Sequence, residues 1–322
     1  MPAEVVRYGI ISTAQIALNA HIPAARESAN SEIVAISSRS EAPARAAAEA
    51  HDIPRWYGTY DELLADSELE AVINPLPNSM HCEWTIKAAE AGKHILCEKP
   101  IGVTMDEVRR MIAAAKANNV VLIEAFTPRW NPHMRKARKL IADGAIGTVT
   151  NLDATLAFNV AEPEGNVRFS KELVGGSMWD AGCYAVYAVR FVLSAEPVRA
   201  FGFAYDSGNW GVDTTFSGML EFPGGAIARV GSSMEQPRRN DLTIAGSKGK
   251  IYIPMMGDDS GPIVVTTVDG EIEEATPAPN RYRAQLDEFS ECVLTGKAPE
   301  YPAEDGLANT AALVALYASA AS

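Results

Sequence analysis

The first 125 residues alternate short apolar runs with stretches of helical length, and this alternation restricts the fold more than any other feature. Residues 5–11 read as a strand that runs into a helix opening at Ser12 and lasting to about Ser28. Residues 32–36 form a second strand, followed by an alanine-rich helix (about 42–50), a short extended segment (55–57) and a helix over 59–65. The strand at 71–74 ends in Pro75-Leu76-Pro77-Asn78 and precedes a helix to Ala91. A strand at 95–97, a helix at 104–118 and a strand at 120–124 complete the series. Short strands separated by helices imply an α/β fold with a doubly wound parallel sheet.

Near residue 125 the pattern changes. A helix to about Asp143 is followed by extended segments at 147–160, 197–205, 213–222, 226–233, 239–245, 250–253 and 263–268. Turn signals such as Pro223-Gly224-Gly225 and Asp269-Gly270 separate them, so the spacing predicts an antiparallel meander. Helices at about 282–295 and 304–319 close the chain. We therefore expect a dinucleotide-binding domain over 1–125 and an α+β domain over 126–322, built on a large, mainly antiparallel sheet. A cleft between them would hold a small-molecule substrate.

The net charge of −13, without any Lys/Arg run, disfavours nucleic acid as a partner. No window is apolar enough to span a bilayer, so no membrane association is expected. Cys82, Cys97, Cys183 and Cys292 lie far apart, without metal-ligand spacing. They read as reduced core residues of a cytoplasmic protein, and no metal site is expected.

Ligands of open α/β sheets bind beyond the carboxyl ends of the strands. The apolar run at 95–97 stops there at Glu98-Lys99-Pro100, where a lysine can reach into a cleft; a solvated ion pair would have the same spelling. The first turn, Ser12-Thr13-Ala14-Gln15-Ile16-Ala17, stands where a G-x-G-x-x-G loop would cradle a pyrophosphate on helix N-terminal amides. Its glycine positions are Ser12, Ala14 and Ala17, small enough for close backbone approach. The second strand ends in Ser38-Arg39 instead of the acid that accepts from the ribose of NAD. A guanidinium there suits a 2′-phosphate and indicates NADP over NAD. In the second half, Gly175-Gly176 leads into a helix on which Asp180 and Tyr184 lie four residues apart, sharing a face. Asp180 is equally suited to capping that helix.

Taken together, residues 9–17, Pro77-Asn78 with His81, Glu98-Lys99-Pro100, Glu124-Ala125-Phe126 and Asp180-x-Gly182-x-Tyr184 make the chain resemble the glucose-fructose oxidoreductase / inositol dehydrogenase (Gfo/Idh/MocA) family of two-domain NAD(P)-dependent oxidoreductases. Tyr184 stands where inositol dehydrogenases carry His. With the Glu-Ala-Phe segment, it is most similar to the dihydrodiol dehydrogenase, bacterial xylose dehydrogenase and glucose-fructose oxidoreductase branches, which favour NADP. The alanine at the second glycine position departs from the family fingerprint.

The resemblance implies that Lys99 and Tyr184 meet across the cleft beside the nicotinamide and that the Lys99–Pro100 bond is cis. It implies cofactor contacts from Pro77, Asn78, His81 and Glu98, and from Arg168 and Tyr282 at the nicotinamide end. It also implies pairing of subunits into a homodimer or homotetramer through the outer face of the C-terminal sheet. Tyr184 would then exchange the substrate proton, Lys99 would tune it and orient the substrate, and Asp180 would bind a hydroxyl. Arg129, Asn159 and Trp179 are further substrate candidates. The expected reaction is NADP-linked oxidation of a sugar or polyol, foremost an aldopyranose at its anomeric carbon. The alternatives are a keto-sugar reductase, a trans-dihydrodiol dehydrogenase and, in another class, a non-catalytic NADP sensor.

Overall fold

The structure, a computed structural model, describes residues 5–254, 262–274 and 280–322. Contacts divide the chain into two compact units, Met1–Phe126 with Pro279–Leu307, and Thr127–Ala278 with Ala308–Ser322. The sequence-based division at 125/126 therefore needs one correction: residues 279–307 return to the first unit.

In the first unit, β1 (Val6–Ile11), α1 (Ile22–Glu27), β2 (Ser31–Ser37), α2 (Glu41–Ala50), β3 (Arg55–Tyr57) and α3 (Tyr60–Leu64) are followed by β4 (Ala71–Asn74) and α4 (His81–Glu90). Then come β5 (His94–Glu98), α5 (Met105–Ala117) and β6 (Leu122–Ala125). The six strands lie in the order β3-β2-β1-β4-β5-β6, all parallel, with Ile10 opposite both Ile36 and Ile73. Both faces are covered, as a parallel sheet requires. Val72, Ile95 and Cys97 pack with Leu63, Val108 and Met111 on one side, and Ile10, Ile36, Ile73 and Leu96 pack with Ile22 and Ala25 on the other. Fully burying one such aliphatic side chain contributes about 1.5–3 kcal/mol.

The second unit begins with α6 (Pro132–Ala142), β7 (Val149–Asn159), α7 (Cys183–Leu193), β8 (Arg199–Tyr205), β9 (Thr215–Glu221) and β10 (Ile227–Ser233). It continues through β11 (Glu235–Gly246), β12 (Gly249–Ile253), β13 (Ile263–Thr267) and β14 (Gly270–Glu274). The strand order is β14-β13-β12-β11-β7-β10-β9-β8. The expected meander is thus interrupted, because β7 lies between β11 and β10 and pairs parallel with β10; the other pairings are antiparallel. The outer face carries exposed Phe201, Phe203, Tyr205 and Met219, whereas α7 packs against β7 and β10.

Two helices close the chain, α8 (Arg281–Thr295) and α9 (Ala303–Ala320). Leu286 and Phe289 of α8 pack in the cluster around Ile10 and Ile36, and Tyr8 meets Ser290 hydroxyl to hydroxyl at 2.6 Å. This apolar face is why α8 belongs with the first sheet. Among the described residues no helix is long and apolar enough to cross a membrane.

Candidate active site

Four strand ends of the first unit collect the residues that the sequence singles out. The order β2-β1-β4-β5 places Ser38 and Arg39, Ser12, Pro77 and Asn78, and Glu98 and Lys99 at successive carboxyl ends, around the point where the strand order reverses. Ser12 has a φ of 122°, a conformation that ordinarily demands glycine, so the first fingerprint position keeps the loop's geometry without its residue. Its Oγ accepts from the Ala14 amide at 3.2 Å. Gln15 is exposed and accepts from Asn19 at 3.1 Å, while Ile16 caps a π-turn, Ala17–His21, that continues into α1. Ser38 is buried, and Arg39 extends into solvent close enough to Tyr60 to act on its charge.

Glu98 is buried and accepts from two groups. His21 Nε2 lies 2.8 Å from one carboxylate oxygen, and the Lys99 amide donates to the other at 3.2 Å. Burial alone would raise the Glu98 pKa, but the His21 hydrogen bond and the charges of His21 and Lys99 hold the carboxyl below its ordinary value. The Tyr282 ring stands edge-on to His21 at 5.6 Å, and burial raises its phenol pKa. The Lys99–Pro100 peptide is cis, as the family resemblance implies.

His81 is tied to the backbone through both ring nitrogens. It is buried, with Nδ1 2.8 Å from the Pro100 carbonyl oxygen and Nε2 2.7 Å from that of Leu76. Its ring nitrogens therefore brace the turns after β4 and β5. Sequence reasoning missed His21, since a histidine inside a helix carries no signal until Glu98 is seen against it.

In the second unit a tight turn prepares the helix that bears Asp180 and Tyr184. Gly175 lies so close to the Arg168 carbonyl that a side chain would collide with it, and Gly176 has a φ of 116°. The following residues are anchored by Asp213, another residue without a sequence signal. One Asp213 oxygen accepts from Ser177 Oγ at 2.7 Å and the Met178 amide at 2.8 Å, and the other accepts from the Tyr317 hydroxyl at 2.6 Å. The chain then forms a π-turn, Met178–Gly182, before α7. Asp180 therefore sits in π geometry rather than in the ordinary helix expected; π-turns recur at functional sites.

Asp180 and Tyr184 are both partly exposed. Arg168, in the 3-10 turn Val167–Phe169, donates from Nε to Asp180 Oδ2 at 2.7 Å, and the Asp180 charge raises the Arg168 pKa. The other substrate candidates are placed differently. Trp179 is buried and stacked on Tyr317 at 5.1 Å, and Arg129 is fully buried, 5.6 Å over the Tyr187 ring. Asn159 is exposed at the end of β7, opposite Glu235. The first unit thus presents a dinucleotide-type strand edge with a lysine whose backbone amide is held by Glu98, and the second an acid–phenol pair with a guanidinium.

Comparison with known proteins agrees with this architecture. Residues 6–126 match the family model "Oxidoreductase family, NAD-binding Rossmann fold", and residues 134–252 match the GFO/IDH/MocA C-terminal domain. The chain is 36% identical to D-xylose 1-dehydrogenase (NADP(+)) 2 of Haloferax volcanii over 97% of each chain. Among solved structures it is similar to the aldose-aldose oxidoreductase of Caulobacter crescentus complexed with glycerol, with a TM-score of 0.91 and 30% identity over 99% of this chain and 98% of that one. It is also similar to a 3-ketoreductase from Actinomadura kijaniata in complex with NADP and TDP-benzene, with a TM-score of 0.91 and 25% identity over 98% of each. This chain belongs to the GFO/IDH/MocA family of oxidoreductases.

Proposed function

We propose that this protein is an NADP-dependent dehydrogenase that moves a hydride between the anomeric carbon of an aldopyranose, such as xylose or glucose, and the nicotinamide. The observation that carries the reading is the second unit's partly exposed Asp180–Tyr184 pair, taken with Lys99 of the first, whose backbone amide is held by Glu98. The likeness to an NADP-linked xylose dehydrogenase supports the substrate class and the cofactor.

The first unit fits a dinucleotide. Ser12 in a glycine conformation opens the first turn, and Arg39 stands in solvent where a 2′-phosphate would lie. Ser12, Ala14, Gln15 and Ile16 would hold the pyrophosphate, Ser38 and Arg39 the phosphorylated ribose, and Pro77, Asn78, Lys99 and Tyr282 the remainder. Bound NADP supplies the hydride acceptor.

Oxidation of a carbinol also requires a base. A tyrosine with its ordinary pKa of about 10 is phenolate in about one molecule in a thousand at neutral pH. A cation within about 4–6 Å lowers that pKa by about 1–3. Lys99 and Tyr184 would form this pair, with Tyr184 accepting the hydroxyl proton and Asp180 binding a neighbouring hydroxyl. The same residues run in reverse would serve a keto-sugar reductase, a second reading favoured by the likeness to the 3-ketoreductase. The exposed aromatic residues on the outer sheet face support pairing of subunits there.

The test is the reduced-nicotinamide absorbance band, followed with NADP and NAD against aldoses, polyols and cyclic diols. A pentose or hexose should reduce NADP in preference to NAD, and Arg39→Ala should abolish that preference. Equal losses with both cofactors would contradict the phosphate assignment. Silence with every alcohol, alongside tight NADP binding, would move the reading to a reductase or a sensor.

A further inference from the structure

We infer that Arg168 is a positioning residue of this site: its guanidinium fixes Asp180 and serves Tyr184 as a cation supplied from within the same unit. The inference rests on the proposed role of Tyr184 as proton acceptor, and it differs from the nicotinamide contact that the family resemblance assigns to Arg168.

The argument begins with Asp180. A carboxylate one helical turn from a phenol is the wrong neighbour for a base, because like charges disfavour phenolate. Arg168 removes this conflict. Its Nε donates to Asp180 Oδ2 at 2.7 Å, so the two charges form a pair whose net charge is zero. Tyr184 follows Asp180 by four residues on the same partly exposed face, and its phenolate charge, like that of Asp180, acts to raise the Arg168 pKa. The effect is reciprocal, so a guanidinium stabilised by the phenolate stabilises it in turn.

Placement supports this assignment. The turn at Val167–Phe169 is held by Asn166, whose side chain accepts from the Arg168 amide at 3.1 Å. Gly175 lets the next turn lie directly on the Arg168 carbonyl, and Gly176 donates to that oxygen at 2.8 Å. Arg168 is thereby tied by its backbone to the turn that launches the Asp180–Tyr184 helix, and by its side chain to the helix itself. Its guanidinium lies 5.8 Å over the Phe158 ring.

Other charged and titratable groups lie on elements packed against this helix. Asp213 and Tyr317 bond each other at its start. Arg129 lies over Tyr187, one turn beyond Tyr184, and His133 is buried on α6. Asp153 and Arg229 pair with each other across β7 and β10.

Removing Arg168 therefore acts twice, withdrawing a cation and exposing the Asp180 charge. The Arg168 side chain is 40% exposed, so solvent screens it and the effect belongs at the lower end of the range for an adjacent charge, about one pH unit.

The experiment compares wild type, Arg168→Gln and Arg168→Lys by two readouts. The first is the pH dependence of kcat/KM for aldose oxidation. The second is the ring-carbon NMR titration of Tyr184 in the ligand-free protein, labelled with ¹³C-tyrosine and assigned by its loss in Tyr184→Phe. In Arg168→Gln the acidic limb and the Tyr184 midpoint should both move up by about one pH unit, with about a tenfold loss of kcat/KM at pH 7. Arg168→Lys should restore most of both shifts. An unmoved Tyr184 midpoint in a folded Arg168→Gln protein would overturn the inference, and a rise confined to the KM for NADP would return Arg168 to the cofactor. A wild-type limb that survives in Tyr184→Phe would instead refute the proton-acceptor reading itself, which keeps the two failures apart.

Discussion

Replacing Tyr184 with Phe is expected to lower turnover by about 10²–10⁴-fold, the contribution of a positioned general acid or base. The substitution removes one oxygen from a partly exposed side chain on α7 and leaves the ring and the helix in place. The first-unit residues proposed to hold NADP are untouched, so cofactor affinity should change little. Steady-state kinetics and a fluorescence titration with reduced NADP separate the two quantities. Unchanged turnover would remove Tyr184 from the mechanism, and a parallel loss of cofactor affinity would make it a binding residue.

The largest expected effect on stability lies in the first unit, at Glu98. Glu98→Ala leaves the His21 ring and the Lys99 amide without their buried acceptor, and should cost about 3 kcal/mol or more. Glu98→Gln keeps an acceptor oxygen and removes the charge, so it isolates the electrostatic part. Because the fold depresses the Glu98 pKa, its ionised form contributes stability above the unfolded-state value of about 4.3. That contribution is lost as the pH falls through the lower, folded-state value. Urea unfolding should therefore show the wild type ahead of Glu98→Gln at pH 7, with the gap narrowing below about pH 4. A pH-independent gap would mean that the His21–Glu98 contact acts through packing alone.

The parallel half was legible because its strands are buried on both faces and spell short apolar runs between helices. The error at β6 is local. Val120 and Val121 extend the apolar run, but the Val121 amide donates to His94 Nδ1 and the ladder begins at Leu122. β14 escaped notice because Gly-Glu-Ile-Glu-Glu is too acidic to suggest a strand; its place at the sheet edge tolerates those charges. The insertion of β7 between β10 and β11 could not be read locally, since pairing order depends on residues some eighty positions apart. The return of α8 to the first unit was hidden for the same reason.

At the site, the residues that end strands stood out because strand ends are where an open sheet binds its ligands. Those that support them did not. His21 and Asp213 become recognisable only through Glu98 on β5 and through the Ser177 turn. Of the further substrate candidates, Trp179 stacks on Tyr317 and Arg129 lies over the Tyr187 ring, contacts that depend on residues distant in sequence.

The most direct test of hydride exchange between a sugar and NADP is the fate of an isotopic label. Xylose or glucose carrying deuterium at the anomeric carbon would be incubated with the protein and NADP, and the reduced cofactor analysed by NMR. The account predicts deuterium at C4 of the nicotinamide ring, on one face only. Reduced cofactor without the label, formed from a substrate that the protein does consume, would contradict it.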